Sequence, residues 1–301
     1  LRHRLTLASR AMDLTSIAIQ LLNGIQHGFL LFLVAAGLTL IFGIIGVINL
    51  AHGSFYMIGA YLAYALTVKT GNFPLAVAIA VPIAALLGWA VERLAISYLY
   101  QRDHLHQVLL TYGLILIFNE LQRIIWGNDV HGVELPAAVT GTITLTELHS
   151  YPVYRLVVSV ICILIATGMY FIIHKTRLGM MIRAGAGNRE MVQLLGIDVK
   201  RLFALVFSAG AALTALAGSL SAPITSVYPG MGENILIVSF VVVVIGGIGS
   251  IKGAFLGSML IGLTDTFGKV LVPEAAGTIV YALMAFILLW RPRGLFGAKA
   301  A

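Results

Sequence analysis

Gly43-Ile44-Ile45-Gly46-Val47-Ile48-Asn49-Leu50-Ala51-His52-Gly53 sets an asparagine, a histidine and three glycines inside a run that is otherwise apolar. Unpaired backbone N–H and C=O groups are costly in hydrocarbon. An interrupted helix at membrane depth is therefore tolerated only where protein or a water-filled cavity covers it. The stretch is expected to break a membrane helix and to line a pathway.

The surroundings decide the class. Of 301 residues, 59% are hydrophobic and 10% charged, against about a quarter charged in an average soluble domain. Apolar blocks occupy 14–68 with glycine breaks, 75–97, 108–126, 153–173, 202–222, 235–271 again broken, and 277–290. A membrane β-barrel would alternate apolar and polar residues, and the run from Ile235 to Ile245 does not. The chain reads as one all-α polytopic membrane domain over 1–301, with about eight to ten crossings at roughly 20 residues each.

A net charge of +7 raises the question of nucleic acid, but the basic residues sit at the ends of apolar blocks rather than in a stripe. They are topology signals. Cys162 is the single cysteine, so an intrachain disulfide and a cysteine metal site are both excluded. The basic start (Arg2, Arg4, Arg10) resembles a signal peptide, yet the following apolar run to Ile48 far exceeds an h-region of about 7–15 residues. A retained segment is expected, and the missing initial Met points to a trimmed start.

Charge bias gives the sides. The N-terminal tail, the segment Lys175 to Arg201 with six Lys/Arg, and the tail with Arg291, Arg293 and Lys299 are expected inside. The loop from Glu120 to Pro152 and the one from Pro223 to Asn234 are acidic and expected outside. By parity, residues 14–68 must then cross an odd number of times, as must the chain between Glu233 and Arg291. Each half carries one glycine-broken segment, Gly43 to Gly53 and Gly246-Gly247-Ile248-Gly249-Ser250-Ile251-Lys252-Gly253. We expect inverted repeats at 14–152 and 153–290, with the breaks (Asn49, His52, Gly53; Gly246, Gly247, Gly249, Gly253) flanking a pathway near the midplane.

The segment 176–201 is the longest inner polar stretch. Met180 to Leu195 has no proline and an imperfect amphipathic pattern, which predicts one short helix on the membrane surface. It is either a connection anchored by arginines or a docking element for a soluble partner, with Gly179 and Gly196 as punctuation.

The chain resembles the LivH-type membrane subunits of ATP-binding-cassette importers for branched-chain amino acids. The resemblance is carried by Leu38-Thr39-Leu40-Ile41-Phe42-Gly43 leading into Gly46 to Gly53, by Gly59-Ala60-Tyr61, by Gly179 to Ala184, by Asn188, by Leu195-Gly196-Ile197, by Gly246 to Ala254 and by the tail Arg291 to Gly297. It implies a permease half that pairs with a homologous LivM-type subunit, two cytoplasmic ATPase subunits and a periplasmic binding protein, in a bacterial inner membrane. It also implies that Arg183, Ala184, Asn188, Glu190, Leu195, Gly196 and Ile197 form the coupling element. Cargo does not transfer with the fold: the family extends to urea, short amides and small organic acids.

Other motifs are decoys. Gly268-Lys269-Val270 lacks the Ser/Thr and the earlier glycine of a phosphate loop, and Gly247-Ile248-Gly249 follows no βαβ unit. No cofactor site is expected in this chain, and ATP is expected to be hydrolysed by partner subunits. His52 has no second ligand at helical spacing, so a neutral structural histidine holding the break at Gly53 is expected rather than a metal site. Asn49 either caps broken backbone or touches cargo. Gln20, Asn23 and His27 share a helix face suited to interhelical bonding. Gly249, Gly253 and Gly257 allow close helix approach, in this chain or a partner. Lys252 is expected to snorkel or face water. A solitary ion-coupled carrier would need intramembrane acids, of which Asp265 is the main example. An enzyme would need a paired nucleophile and base, and no membrane block supplies one.

Overall fold

A computed structural model of the chain describes residues 14–100, 102–136, 139–146, 149–187 and 189–297. The elements are helices α1 (Leu14–Ile45), α2 (His52–Thr70), α3 (Phe73–Leu94) and α4 (His104–Trp126), strands β1 (Thr142–Thr146) and β2 (His149–Pro152), then α5 (Val153–Lys175), α6 (Arg177–Gly187), α7 (Arg189–Leu194), α8 (Val199–Thr225), α9 (Met231–Gly246), α10 (Ile251–Leu271) and α11 (Ala276–Trp290). Among the described residues, seven helices are long and apolar enough to cross a membrane. With α2 and the short apolar α9, the bundle falls within the expected range of crossings.

Local chemistry sets the ends. Gly71 takes a left-handed conformation (φ +65°) after α2, and the Asn72 side chain accepts from the Leu75 N–H at 3.1 Å to start α3, giving a tight helical hairpin. Asp198 and Ser250 cap α8 and α10 in the same way, accepting from Arg201 N–H and Gly253 N–H.

At the centre stands α1, with Leu31 through Ala36 buried. It runs against α8 and α10, while α2 lies between α8 and α9. Small residues make the contacts close: a Cβ on Gly28 would stand 3.0 Å from the Ser258 carbonyl of α10. Hydrophobic driving force between helices is weak in lipid, so such close packing is what holds them. Outside, α3, α4 and α5 turn Leu86, Leu109, Ile124 and Leu164 outward.

The topology corrects one expectation. Asn23 of α1 accepts from Arg155 at the start of α5 (2.6 Å), whereas Gly43 near the end of α1 shares a small cavity with Ile173 and Arg183. So α1 begins at the end where α5 begins and finishes beside the basic 176–201 segment. A start of α1 on the same side as the 176–201 segment is incompatible with this arrangement. Arg2, Arg4 and Arg10, on which that expectation rested, lie outside the described residues, and from its outer start α1 brings the chain inward. Residues 14–70 make an even number of traverses, with α2 returning outward. The three traverses expected between Glu233 and Arg291 are found as α9, α10 and α11.

The outer loop holds a β-hairpin that the all-α reading omitted, with Ile143 paired to Tyr151 and Thr144 to Ser150. His131 and Val227 exchange both backbone bonds at 2.8 Å, tying this loop to the connection before α9.

Candidate functional site

The two glycine-broken stretches meet. After α1, Gly46 turns left-handed (φ +69°) and its N–H bonds the Phe42 carbonyl at 2.9 Å, and the chain is non-helical until His52. After α9, Gly247 (φ +97°) and Gly249 (φ +80°) turn the chain into α10. A Cβ on Gly43 would lie 2.9 Å from the Cα of Gly249. The expected midplane position is corrected: the breaks abut Ile173, Ile182 and Arg183 around a cavity of about 80 Å³ at the inner end. The reason is that α1 runs unbroken for 32 residues from Leu14 to Ile45, well over the roughly 20 that cross a bilayer, which carries the interruption towards the inner end.

Side chains from elsewhere cover the open backbone. Gln107 of α4 accepts from the Ile48 N–H (3.2 Å) and donates to the Leu99 and Arg102 carbonyls. The tail does the same for the second break, since Leu295 N–H and Phe296 N–H donate to the Ile245 and Gly246 carbonyls at 2.8 and 3.0 Å. A side chain on Gly247 or Gly294 would collide with the facing strand of this contact. Sequence reading missed Gln107 altogether. A buried glutamine one turn into a membrane helix was the available signal.

The break at 46–51 ends at His52, and Gly53 is no break. It is the second residue of α2, where a Cβ would collide with the Gly232 carbonyl of α9 and lie 2.8 Å from Leu236. His52 is fully buried between α1 and α8. Its Nε2–H is shared between the Val34 carbonyl (3.1 Å) and Thr214 Oγ1 (2.7 Å), whose own hydroxyl donates to Gly210. The carbonyl can only accept, which fixes the tautomer and makes His52 a pin between three helices. Asn49 is fully buried, and neither side-chain atom has a hydrogen-bond partner among the described residues, so its side chain caps no broken backbone here.

Gly246, Gly253 and Gly257 pack α9 on α10, within this chain: a Cβ on Gly257 would sit 2.8 Å from the Val242 carbonyl, and Gly253 faces the Gly246 carbonyl more closely still. Lys252 is exposed at an apolar cleft of about 550 Å³ between α1, α5 and α10, with His174 across from it. Asp265 is matched by Lys269 (2.6 Å) and His27 (3.5 Å), so the acid that a solitary carrier would need is already partnered.

The inner segment is two helices, not one. Gly179 lets α6 fold onto the end of α5, where a Cβ would collide with the Ile172 and Ile173 carbonyls. Arg183 donates to the Ile173 carbonyl, one of the unpaired groups at a helix C-terminus. Ala184 is exposed, and Gly185 faces Leu202 and Ile44. Asn188 lies outside the described residues, as does the side chain of Glu190. Val192 is buried, Ile197 is half-buried with its N–H on the Val192 carbonyl, and Gly196 (φ +82°) turns the chain towards α8. Leu194 and Leu195 are left 82% and 72% exposed at the inner end.

A family model for the branched-chain amino acid transport system permease component matches residues 20–288. The chain belongs to this family. It is 33% identical to the high-affinity branched-chain amino acid transport permease BraD of Pseudomonas aeruginosa, over 92% of this chain and 95% of that protein. It is 30% identical to LivH of Escherichia coli K12 (92% and 94%) and 29% identical to a probable LivH permease of Methanocaldococcus jannaschii (91% and 91%). No solved structure matches the chain. As a member of this family it is a permease subunit of an ATP-binding-cassette importer, a multi-pass protein of the bacterial inner membrane that works with partner subunits.

Proposed function

We propose that this permease forms half of a pathway for leucine, isoleucine and valine, paired with a homologous LivM-type membrane subunit. A periplasmic binding protein selects and delivers cargo at the outer end. Two cytoplasmic ATPase subunits hydrolyse the ATP and dock on α6, α7 and the turn to Ile197, so no nucleotide or other cofactor is held by this chain. The observation that supports the cargo best is the family match over residues 20–288 together with relatives named for branched-chain amino acid transport. Docking is supported by Leu194 and Leu195, which present apolar surface at the inner end instead of burying it.

In mechanism, closure of the ATPases pulls on α6 and α7. Arg183 bonds the end of α5, and Ile182 lines the cavity that Gly43 and Gly249 share, so the pull reaches both breaks at once. The breaks at 46–51 and 247–250 then act as hinges between the packed pair α1 and α10 and the packed pair α2 and α9.

The test is uptake of labelled leucine, isoleucine, valine, urea and small carboxylates into vesicles holding the purified complex, with and without internal ATP and the binding protein. Leucine-class uptake that needs both is expected. Uptake of only urea or carboxylates would overturn the cargo, and uptake by this chain alone on an ion gradient would overturn the mechanism.

A further inference from the structure

Glu233, in the first turn of α9, accepts a hydrogen bond from the side-chain amide of Asn119 on α4. Its other oxygen, Oε2, is buried without a hydrogen-bond partner among the described residues, and so is Asn119 Oδ1. Among the described residues no Lys, Arg or His comes within ion-pair distance of Glu233. Other acids of the bundle are matched: Asp265 by Lys269 and His27, Glu120 by Arg123, Glu92 by Tyr100 and Arg93.

The pair lies at the outer end of the bundle, with Glu233 in the first turn of α9 and Asn119 about two turns from the end of α4. Asn119 precedes Trp126, the last residue of α4, by seven positions, or about 10 Å at 1.5 Å per residue. Beside it, Phe118 meets Phe55 of α2 with ring centroids 6.0 Å apart, and Gly232, next to Glu233, abuts Gly53 of α2. Helix α2 therefore packs beside both α4 and α9, and the Asn119–Glu233 bond joins those two helices. Two acceptor oxygens buried side by side without a donor, Glu233 Oε2 and Asn119 Oδ1, are costly unless a ligand supplies one.

We propose that Glu233 and Asn119 form a transient site for the ammonium group of a zwitterionic amino acid. The site offers two unfilled acceptors, Glu233 Oε2 and Asn119 Oδ1, and one negative charge. A primary ammonium carries three N–H donors and one positive charge, which complements it in both number and sign. The empty pathway keeps the carboxylate on the Asn119 amide, and arriving cargo supplies the missing cation. This assignment rests on the amino-acid cargo proposed above. A site with one charge partner releases its ligand readily, as a pathway requires.

The test compares leucine uptake and ATPase activity of the reconstituted complex carrying Glu233→Gln, Glu233→Asp or Asn119→Ala. Glu233→Gln keeps an acceptor for the Asn119 amide and loses only the charge. Since hydrogen bonds to charged groups are worth more than neutral ones, its KM for delivered leucine should rise at least about tenfold. ATPase stimulation by the loaded binding protein should persist. Glu233→Asp should recover most of the uptake, and Asn119→Ala, which removes the second acceptor but keeps the charge, should raise the KM less than Glu233→Gln does. A wild-type KM in Glu233→Gln overturns the inference alone, as does equal loss in Glu233→Gln and Glu233→Asp, which would mark a strut. A wild-type complex that moves only solutes without an amine overturns the cargo reading and this site with it.

Discussion

Gly43 and Gly249 lie so close that a Cβ on the first would stand 2.9 Å from the Cα of the second. Their contact joins the end of α1 to the turn before α10, so the two interruptions in the fold form one structure. Beside it lies Ile182 of the inner segment. Any larger residue at 43 must push α1 and the turn apart. Overpacking of this kind costs about 1–3 kcal/mol. Gly43→Val should therefore lower the melting temperature of the purified complex and abolish coupled uptake, as followed by a thermal melt and a vesicle assay.

Gln107 supports the first break from outside it. In Gln107→Leu, volume is nearly kept but the Ile48 N–H loses its acceptor. An unsatisfied buried donor costs about 1–3 kcal/mol, so the melt should shift downward and hydrogen exchange should quicken at 46–51. Unchanged exchange there would show that Gln107 does not hold the break.

His52 is assigned a structural role between Val34 and Thr214. Thr214 keeps its bond to Gly210 without it. His52→Leu should lose about 1 kcal/mol, the net worth of one ordinary hydrogen bond, and still assemble. Its pH profile of uptake should overlay that of the wild type. A shifted profile would reveal a proton-carrying role.

The inner segment separates two kinds of residue. Leu194 and Leu195 are exposed, and surface substitutions change stability by no more than about 0.5 kcal/mol. Leu194→Asp and Leu195→Asp should leave the melt unchanged while weakening capture of the ATPase subunits. Arg183→Ala should do the reverse in part, lowering the melt by freeing the Ile173 carbonyl. Pull-down and calorimetry on the same samples read both effects.

Much of this was legible in the sequence. Apolar block length announced the bundle, and glycine clusters located both breaks, because only glycine accepts the left-handed turns at 46, 247 and 249. Interhelical bonding of Asn23 and His27 followed from their shared face. The side of α1 was not legible, since charge counting weighs a tail without knowing how many traverses lie behind it. Nor was the depth of the breaks, which depends on how far α1 extends past the middle. Gln107 and the role of the Leu295–Phe296 tail were hidden for another reason. Both satisfy backbone groups that are distant in sequence, and no local pattern encodes such a partner.

The central claim is that motion at the inner segment works through the joined breaks. Ile44 and Ile251 line the same small cavity on either side of that junction. With cysteines at both, a short bifunctional thiol reagent would lock α1 to α10 in vesicles holding the complete importer. The account predicts that the locked complex binds ATP and the loaded binding protein yet takes up no leucine, and that a cleavable reagent restores uptake on reduction. Full uptake by the locked complex would contradict it.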